Sequence, residues 1–157
     1  MIAASRLLLA GILVAVAGDR AAAQVTPQTR LRDAAIAGDT TAIAAALDAG
    51  ADVDSLDTRL ARNGRRALNW AALHDHAPAI RLLLGRGATL EAGNRTGFTP
   101  LHHAAEAGAA AAARALLAAG ADPGATNSAG MTPSQTARAL GHVGVAVIIE
   151  SAGRSDR

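Results

Sequence analysis

Five histidines are the residues of this sequence best suited to chemistry, since an imidazole can bind a metal or exchange a proton near neutral pH. They are His74, His76, His102, His103 and His142. His74 and His76 stand two positions apart and His102 and His103 are adjacent, so on a helix the members of each pair diverge. Closed zinc sites use four cysteine or histidine ligands at short fixed spacings, and the sequence has no cysteine. The pattern therefore predicts no bound metal and no cofactor.

The remaining polar residues show no catalytic motif. The serines Ser55, Ser128, Ser134 and Ser151 lie outside any nucleophile elbow. No glycine loop of the phosphate-cradling kind is present, and no recognisable motif places a pair of carboxylates. The sequence thus favours a binding protein over an enzyme. One alternative stays open, a small-ligand or metal-binding protein that uses His74, His76 and His103.

Residues 97–122 predict two short helices joined by a turn. These are the elements that would position such side chains. Thr99 can cap the first helix with its hydroxyl, and Pro100 fits the first helical position, where no amide hydrogen bond is lost. Gly108 can close that helix in the left-handed conformation. A second helix then runs to Gly120. A single hairpin cannot cover its own leucines, so the sequence should contain copies of it.

The copies recur at a fixed period. Residues 68–72 (LNWAA) precede residues 101–105 (LHHAA) by 33 positions, and the Gly-x-Thr-Pro pattern at 97–100 returns 33 positions later. Upstream, the interval from Leu31 to Leu68 is 37 positions, which indicates a four-residue insertion that we place within 55–63. Four units are predicted, at about 29–54, 55–91, 92–124 and 125–153.

The period, the Thr-Pro-Leu-His tetrapeptide that ends at His102 and the Gly-Ala-Asp turns resemble the ankyrin repeat, over roughly residues 29–153. The resemblance implies an all-α ankyrin-repeat solenoid of about four helix-turn-helix repeats with projecting loops, whose first and last repeats act as caps. It also implies that His102 stabilises its turn by hydrogen bonding. Trp70 stands where the next repeat has His103, and we expect it to be packed between repeats.

The second repeat departs from this pattern at both ends of its first helix. Arg66 and Ala67 replace Thr-Pro, so the hydroxyl cap is lost, which typically costs on the order of 1 kcal/mol. Asp75 replaces the glycine that follows the helix. The insertion and the residues after it are rich in arginine. They form either a solvated loop or a tip that recognises an acidic or carboxylate-bearing partner, because the planar guanidinium matches such groups.

Residues 1–23 have the pattern of a secretory signal peptide. Arg6 supplies a positive start, residues 7–17 are almost wholly apolar, and three alanines end at Ala23. A membrane anchor is the alternative, but a span needs about 20 apolar residues. We expect a mature ankyrin domain of residues 24–157, without stable membrane insertion, in the periplasm or secreted. All 15 basic residues are arginine, which suggests a bacterial source with a GC-rich genome.

The charge balance argues against a nucleic-acid partner. The calculated pI of 10.9 looks strongly basic, but the formal net charge is only +2. Without lysine, tyrosine or cysteine, no side chain titrates between histidine and arginine, so a small cationic excess raises the pI far. Removal of residues 1–23 takes away two arginines and one aspartate and lowers the net charge to +1. Counterion displacement from nucleic acid needs many clustered cations.

Ankyrin arrays generally bind proteins through their loop tips and the exposed side of each first helix. The resemblance carries that role to thirteen residues of this chain. They are Arg62, Asn63, Arg65, Leu73, His74, Arg95, Thr96, Phe98, Glu106, Ala107, Ser128, Ala129 and Met131. Phe98 is the only phenylalanine, and it either anchors a partner or covers its own repeat. We expect a monomer that binds a protein partner, as accessory or inhibitor of a periplasmic enzyme.

Overall fold

The computed structural model describes residues 25–57 and 64–155, and within these ranges the chain forms eight α-helices and no strand. The helices in chain order are α1 (Pro27–Ala37), α2 (Thr40–Asp48), α3 (Ala67–Leu73), α4 (Ala77–Gly85), α5 (Pro100–Ala107), α6 (Ala110–Ala118), α7 (Pro133–Ala139) and α8 (Val143–Ser155). The expected signal peptide and two candidate site residues, Arg62 and Asn63, lie outside the described residues.

The helices form four antiparallel pairs stacked in chain order. The first helices pack on one another in the order α1, α3, α5, α7, and the second helices do so in the order α2, α4, α6, α8. Each pair therefore contacts its neighbours in sequence, which is the arrangement of a solenoid. The predicted all-α solenoid of four helix pairs is confirmed. None of the helices in the described ranges has the length and apolarity that a membrane span requires.

Three of the four first helices begin at a Thr-Pro pair. The hydroxyls of Thr26, Thr99 and Thr132 accept hydrogen bonds from the amides three residues ahead, at 3.2, 3.4 and 3.3 Å. Each threonine is followed by a proline at the start of its helix. The first helix consequently starts at Pro27, before the expected repeat boundary near residue 29. Likewise, α8 continues to Ser155, past the expected end near residue 153.

The second repeat replaces the hydroxyl cap with a different set of bonds. Asn69 Oδ1 accepts from the Arg66 amide at 2.8 Å, so the start of α3 is capped from inside the helix. The Arg66 guanidinium donates to the carbonyl of Asp54 at 2.8 Å and to the carbonyl of Gly93. Arg66 thus ties the loops before and after its own helix pair together, which offsets the hydroxyl cap that the sequence lacks.

The turns between paired helices require a left-handed residue. Gly108 has φ +68°, and a Cβ built there would lie 2.6 Å from Nδ1 of His142 in the next repeat. The glycine therefore serves both the backbone and the close approach of the neighbouring ring. Asp75 occupies the same place in the second repeat with φ +60°. Its Oδ1 accepts from the amide of Ala112, in α6 of the next repeat, at 2.7 Å.

The core runs continuously between the two helix layers. Its largest members are fully buried aliphatic side chains contributed by every repeat, namely Leu31, Ile43, Leu68, Ile80, Leu83, Leu101, Leu116 and Ile149. Ala104 and Ala105 are also fully buried, which lets α5 lie close to its neighbours. Trp70 is 8% exposed, so the expectation that it is packed inside the array is confirmed.

Candidate protein-binding surface

The loop tips of the third and fourth repeats lie side by side. Ser128 N donates to the carbonyl of Thr96 at 3.1 Å, so the backbones of the two tips are directly joined. Arg95, Ser128 and Ala129 are exposed there, whereas Thr96 and Met131 are partly buried. The structure therefore brings five of the sequence-predicted residues into one continuous surface, which we call the tip surface.

Two buried asparagines, which the sequence reasoning missed, give the tips their shape. Asn94 Oδ1 accepts from the amides of Thr96 and Phe98 at 3.0 and 2.9 Å. Asn127 Oδ1 does the same for Ala129 and Met131 at 2.9 and 3.1 Å. An asparagine carbonyl that bonds its own loop backbone is a common way to hold a turn. The signal was present in the sequence, since the two asparagines stand one 33-residue period apart.

Phe98 lies between the tip surface and α5. Its ring centroid is 5.4 Å from that of His102 and 5.7 Å from that of His103, and the ring is partly buried. Phe98 therefore packs on the helix of its own repeat and keeps part of its surface exposed. The two alternatives for Phe98 are compatible, because a ring held on its own helix is a rigid surface for a partner.

His102 holds the third tip against the fourth. Its Nδ1 lies 2.9 Å from the Thr99 hydroxyl, and its Nε2 donates to the carbonyl of Met131 at 2.9 Å. Burial lowers the pKa of His102, against the opposing effect of the Met131 carbonyl. The imidazole is therefore neutral at pH 7, with its proton on Nε2. The expectation that this histidine stabilises its turn is confirmed.

A network of polar side chains links α5 to the second repeat. His103, 1% exposed, lies with its Nδ1 2.9 Å from Glu106 Oε2, and Glu106 in turn lies 3.7 Å from the Arg65 guanidinium. Burial lowers the pKa of His103 more than the bond to Glu106 raises it. The hydrogen bond from His103 lowers the pKa of Glu106. A neutral imidazole therefore donates from Nδ1 to an ionised carboxylate.

Arg65 differs from its expected place at an exposed tip. Its side chain is 17% exposed, and its guanidinium carbon lies 4.8 Å above the centre of the Trp70 ring. Such a cation–π contact holds the arginine against α3 instead of extending it into solvent. Sequence reasoning missed this because Trp70 and Glu106 meet Arg65 only when the helices stack.

The remaining candidate residues lie at the carboxyl ends of the first helices α3 and α5. Leu73 packs partly against the core, while His74 and Ala107 are exposed. The ring of His74 stacks near those of Trp70 and His76, at 6.1 Å from each.

Two histidines of the alternative metal or ligand site are held by contacts within the array. His76 Nε2 donates to the carbonyl of Ile36 at 2.9 Å, in the preceding repeat, and His103 is buried against Glu106. In the described ranges, no three histidine, aspartate or glutamate side chains are grouped so that they could hold a metal ion.

Comparison with known proteins identifies the family. The family described as ankyrin repeats (3 copies) matches residues 31–127, which is more than half of the chain. The chain belongs to the ankyrin-repeat family. The fourth helix pair, α7 and α8, lies beyond the matched residues and follows the matched repeats along the array.

A tyrosine-protein kinase, HTK16 of Hydra vulgaris, is 34% identical to this ankyrin-repeat protein over 70 residues. The match takes in 43% of this chain but only 9% of the kinase. The chain thus spans a small part of that relative's length. Ankyrin repeats are generally modules of protein–protein interaction and are typically not enzymes, and the exposed tip surface is consistent with that general role.

Proposed function

We propose that this protein binds another protein through its concave face, which comprises the tip surface and the exposed carboxyl ends of α3 and α5. The observation that carries the proposal is the direct backbone bond between the third and fourth tips. In these tip loops Arg95, Ser128 and Ala129 are exposed, and Phe98 is partly exposed. Rigid aromatic and arginine side chains at the centre of a surface are the usual anchors of protein interfaces.

The proposal includes export of the protein and its action as a monomer in the periplasm or outside the cell, as accessory or inhibitor of an exported enzyme. The composition of residues 1–23 supports export. Cleavage after Ala23 would leave Thr26 in place to cap α1, so the mature chain would keep its first repeat intact. Intact mass of the exported protein tests this. A chain that begins at Gln24 is expected, whereas recovery of the uncleaved chain in the membrane fraction would favour an anchor.

The binding test compares two alanine variants. A partner is first captured from periplasmic extract, and its affinities for Phe98→Ala and Arg114→Ala are measured by calorimetry. Arg114 is exposed on α6, a second helix, and lies away from the tips. Phe98→Ala should weaken binding by on the order of 2 kcal/mol. Arg114→Ala should leave it unchanged. The opposite outcome would place the interface on the outer helical face and refute the proposal.

The salt dependence of the affinity is a second test of the same complex. Arg95 is an exposed cation on the tip surface, and exposed charge pairs are screened over about 8 Å at physiological ionic strength. The affinity should fall as salt is added, and Arg95→Ala should make that fall shallower. A salt dependence identical in wild type and Arg95→Ala would remove Arg95 from the interface.

A further inference from the structure

We propose that a pocket between the first two repeats binds a carboxylate, and that in the complex this carboxylate is an acidic side chain or the chain end of the protein partner. The inference deepens the proposed function, on which it rests. The pocket has a cavity volume of about 340 Å³ and lies between α1 and α3. The residues that matter to the argument are Thr29, Arg32, Ser55, Asp57, Arg65 and Trp70.

Two donors in the pocket wall have no acceptor among the residues that the structure describes. Arg65 Nε and Trp70 Nε1 are both buried, and neither has a hydrogen-bond partner within residues 25–57 and 64–155. Trp70 is only 8% exposed, so its indole N–H is cut off from bulk water as well. An unpaired buried donor costs free energy, and native proteins keep few of them. Two such unpaired donors in one wall indicate a binding site, at which a ligand would supply the missing hydrogen-bond acceptor.

Arg65 is the cation of the pocket that is available to bind an anionic ligand. Its ion pair with Glu106 is long, at 3.7 Å, and the Glu106 side chain is 36% exposed. Arg32, the other arginine of the pocket, is already paired with Asp33 and lies 3.6 Å from Asp57. A ligand anion would therefore meet one loosely held guanidinium and would compete with Glu106 for it.

This arrangement selects a carboxylate over a phosphate. A carboxylate is planar and singly charged, and it can accept two parallel hydrogen bonds from one guanidinium. Asp57 and Glu106 stand close to the site, and their negative charges would repel a dianion more strongly than a monoanion. The hydroxyls of Thr29 and Ser55 add neutral donors to the pocket wall.

The position of the pocket favours a protein as the source of the carboxylate. It is built from first helices and from the loop before α3, which belong to the same face as the tip surface. A volume of about 340 Å³ is at the small end of ligand sites. It accommodates one aspartate or glutamate side chain, or a chain end, of a partner lying across the face. A free small carboxylate shares this chemistry and is separated from the first source by the experiment.

Trp70 is the only tryptophan and reports directly on the pocket. Its fluorescence and its indole N–H resonance are followed while four probes are added to the full chain. The probes are acetyl-Gly-Glu-Gly-amide, the corresponding glutamine peptide, glutarate and inorganic phosphate. The glutamate peptide should give a saturable change at the indole N–H, and the glutamine peptide should give none. Equal responses to the two peptides would overturn the proposal.

Two substitutions with opposite expected signs keep the test decisive. Arg65→Gln should weaken binding of the glutamate peptide about tenfold to hundredfold, the usual loss for one charged hydrogen-bond partner. Glu106→Gln should strengthen it about two- to fivefold, because it removes a weak competing ion pair. Arg114→Gln removes an equal charge elsewhere and should change nothing. Unchanged affinity in Arg65→Gln, or weaker binding in Glu106→Gln, would overturn the assignment.

The other probes and the partner itself separate this inference from the proposed function. If glutarate binds more tightly than the glutamate peptide, a protein partner is refuted as the source of the carboxylate. If phosphate binds more tightly than the glutamate peptide, the assignment of the pocket to a carboxylate is refuted. A captured partner should bind Arg65→Gln more weakly than wild type. If it binds both equally but loses affinity for Phe98→Ala, the pocket inference fails and the concave-face proposal stands. If Phe98→Ala has no effect, the concave-face proposal fails first.

Discussion

Replacement of Asp75 by alanine should destabilise the protein through two separate effects. Asp75 adopts φ +60° at the place where the neighbouring repeats have Gly38 and Gly108. Its Oδ1 accepts from the amide of Ala112 at 2.7 Å, near the start of α6. The residue that caps α6 by position is Ala109, whose side chain offers no acceptor. Asp75 therefore caps a helix of the next repeat and couples the two repeats.

The expected magnitude follows from these contacts. Loss of a capping carboxylate typically costs about 1 kcal/mol. Alanine in the left-handed region costs a further 1 kcal/mol or so, because its Cβ crowds the backbone and it has no side-chain hydrogen bond to compensate. Asp75→Ala should thus lower the free energy of unfolding by about 2 kcal/mol. In Asp75→Gly the lost cap is offset by relief of the backbone, so this variant should stay within about 1 kcal/mol of wild type.

Urea unfolding followed by far-UV circular dichroism measures both variants. Asp48→Ala is the control, since Asp48 is 68% exposed and pairs with Arg86 on the surface. Its effect should be below about 1 kcal/mol, as for most surface ion pairs. The reasoning is refuted if Asp75→Ala unfolds with the free energy of wild type, or if Asp75→Gly is the less stable of the two.

Three further substitutions test the core, a turn and a buried imidazole. Leu101→Ala should cost about 2 to 5 kcal/mol in urea unfolding, because Leu101 is 1% exposed; a loss below about 0.5 kcal/mol would remove it from the core. Gly108→Ala should cost about 1 to 3 kcal/mol, since its Cβ would meet the His142 ring at a positive φ; an unchanged thermal midpoint would contradict this. Burial lowers the pKa of His102. Below pH 6.5 the unfolded chain therefore binds a proton at this residue more readily than the folded chain, so the free energy of unfolding should fall as the pH drops. His102→Asn, which copies Asn69 at the same repeat position, should weaken this pH dependence of stability between about pH 7 and about pH 5. An unaltered pH dependence would show that His102 does not cause it.

The fold was readable from the sequence because its signals are local. Thr99 with Pro100 starts a helix and Gly108 ends it. The 33-residue period extends the same prediction to the other repeats. The helix starts that differ from expectation have local causes too. Thr26 and Pro27 form a cap that the repeat alignment from Leu31 had passed over.

The second repeat and the pocket were harder to predict, because their contacts join distant parts of the chain. Arg66 could not be recognised as a tie between loops without the positions of Asp54 and Gly93. The partial burial of Arg65 depends on Trp70 and on Glu106, a residue of the next repeat. The resemblance to ankyrin repeats assigned Arg65 to the tip of the second repeat, because it transfers positions along the sequence and not the contacts between repeats.

The candidate site was predicted where it follows the repeat period. Thr96 and Ser128 were assigned to neighbouring tips, and the structure joins them by a backbone bond. Their binding role stays a prediction, since the residues that form a surface do not name its partner.

Hydrogen–deuterium exchange of the protein alone and in complex with its captured partner tests the concave-face proposal most directly. The account predicts slower exchange on binding at the tip segments 94–98 and 127–131 and along α3, with little change in α4 and α6. Protection confined to α4 and α6, with the two tip segments exchanging as in the free protein, would contradict it.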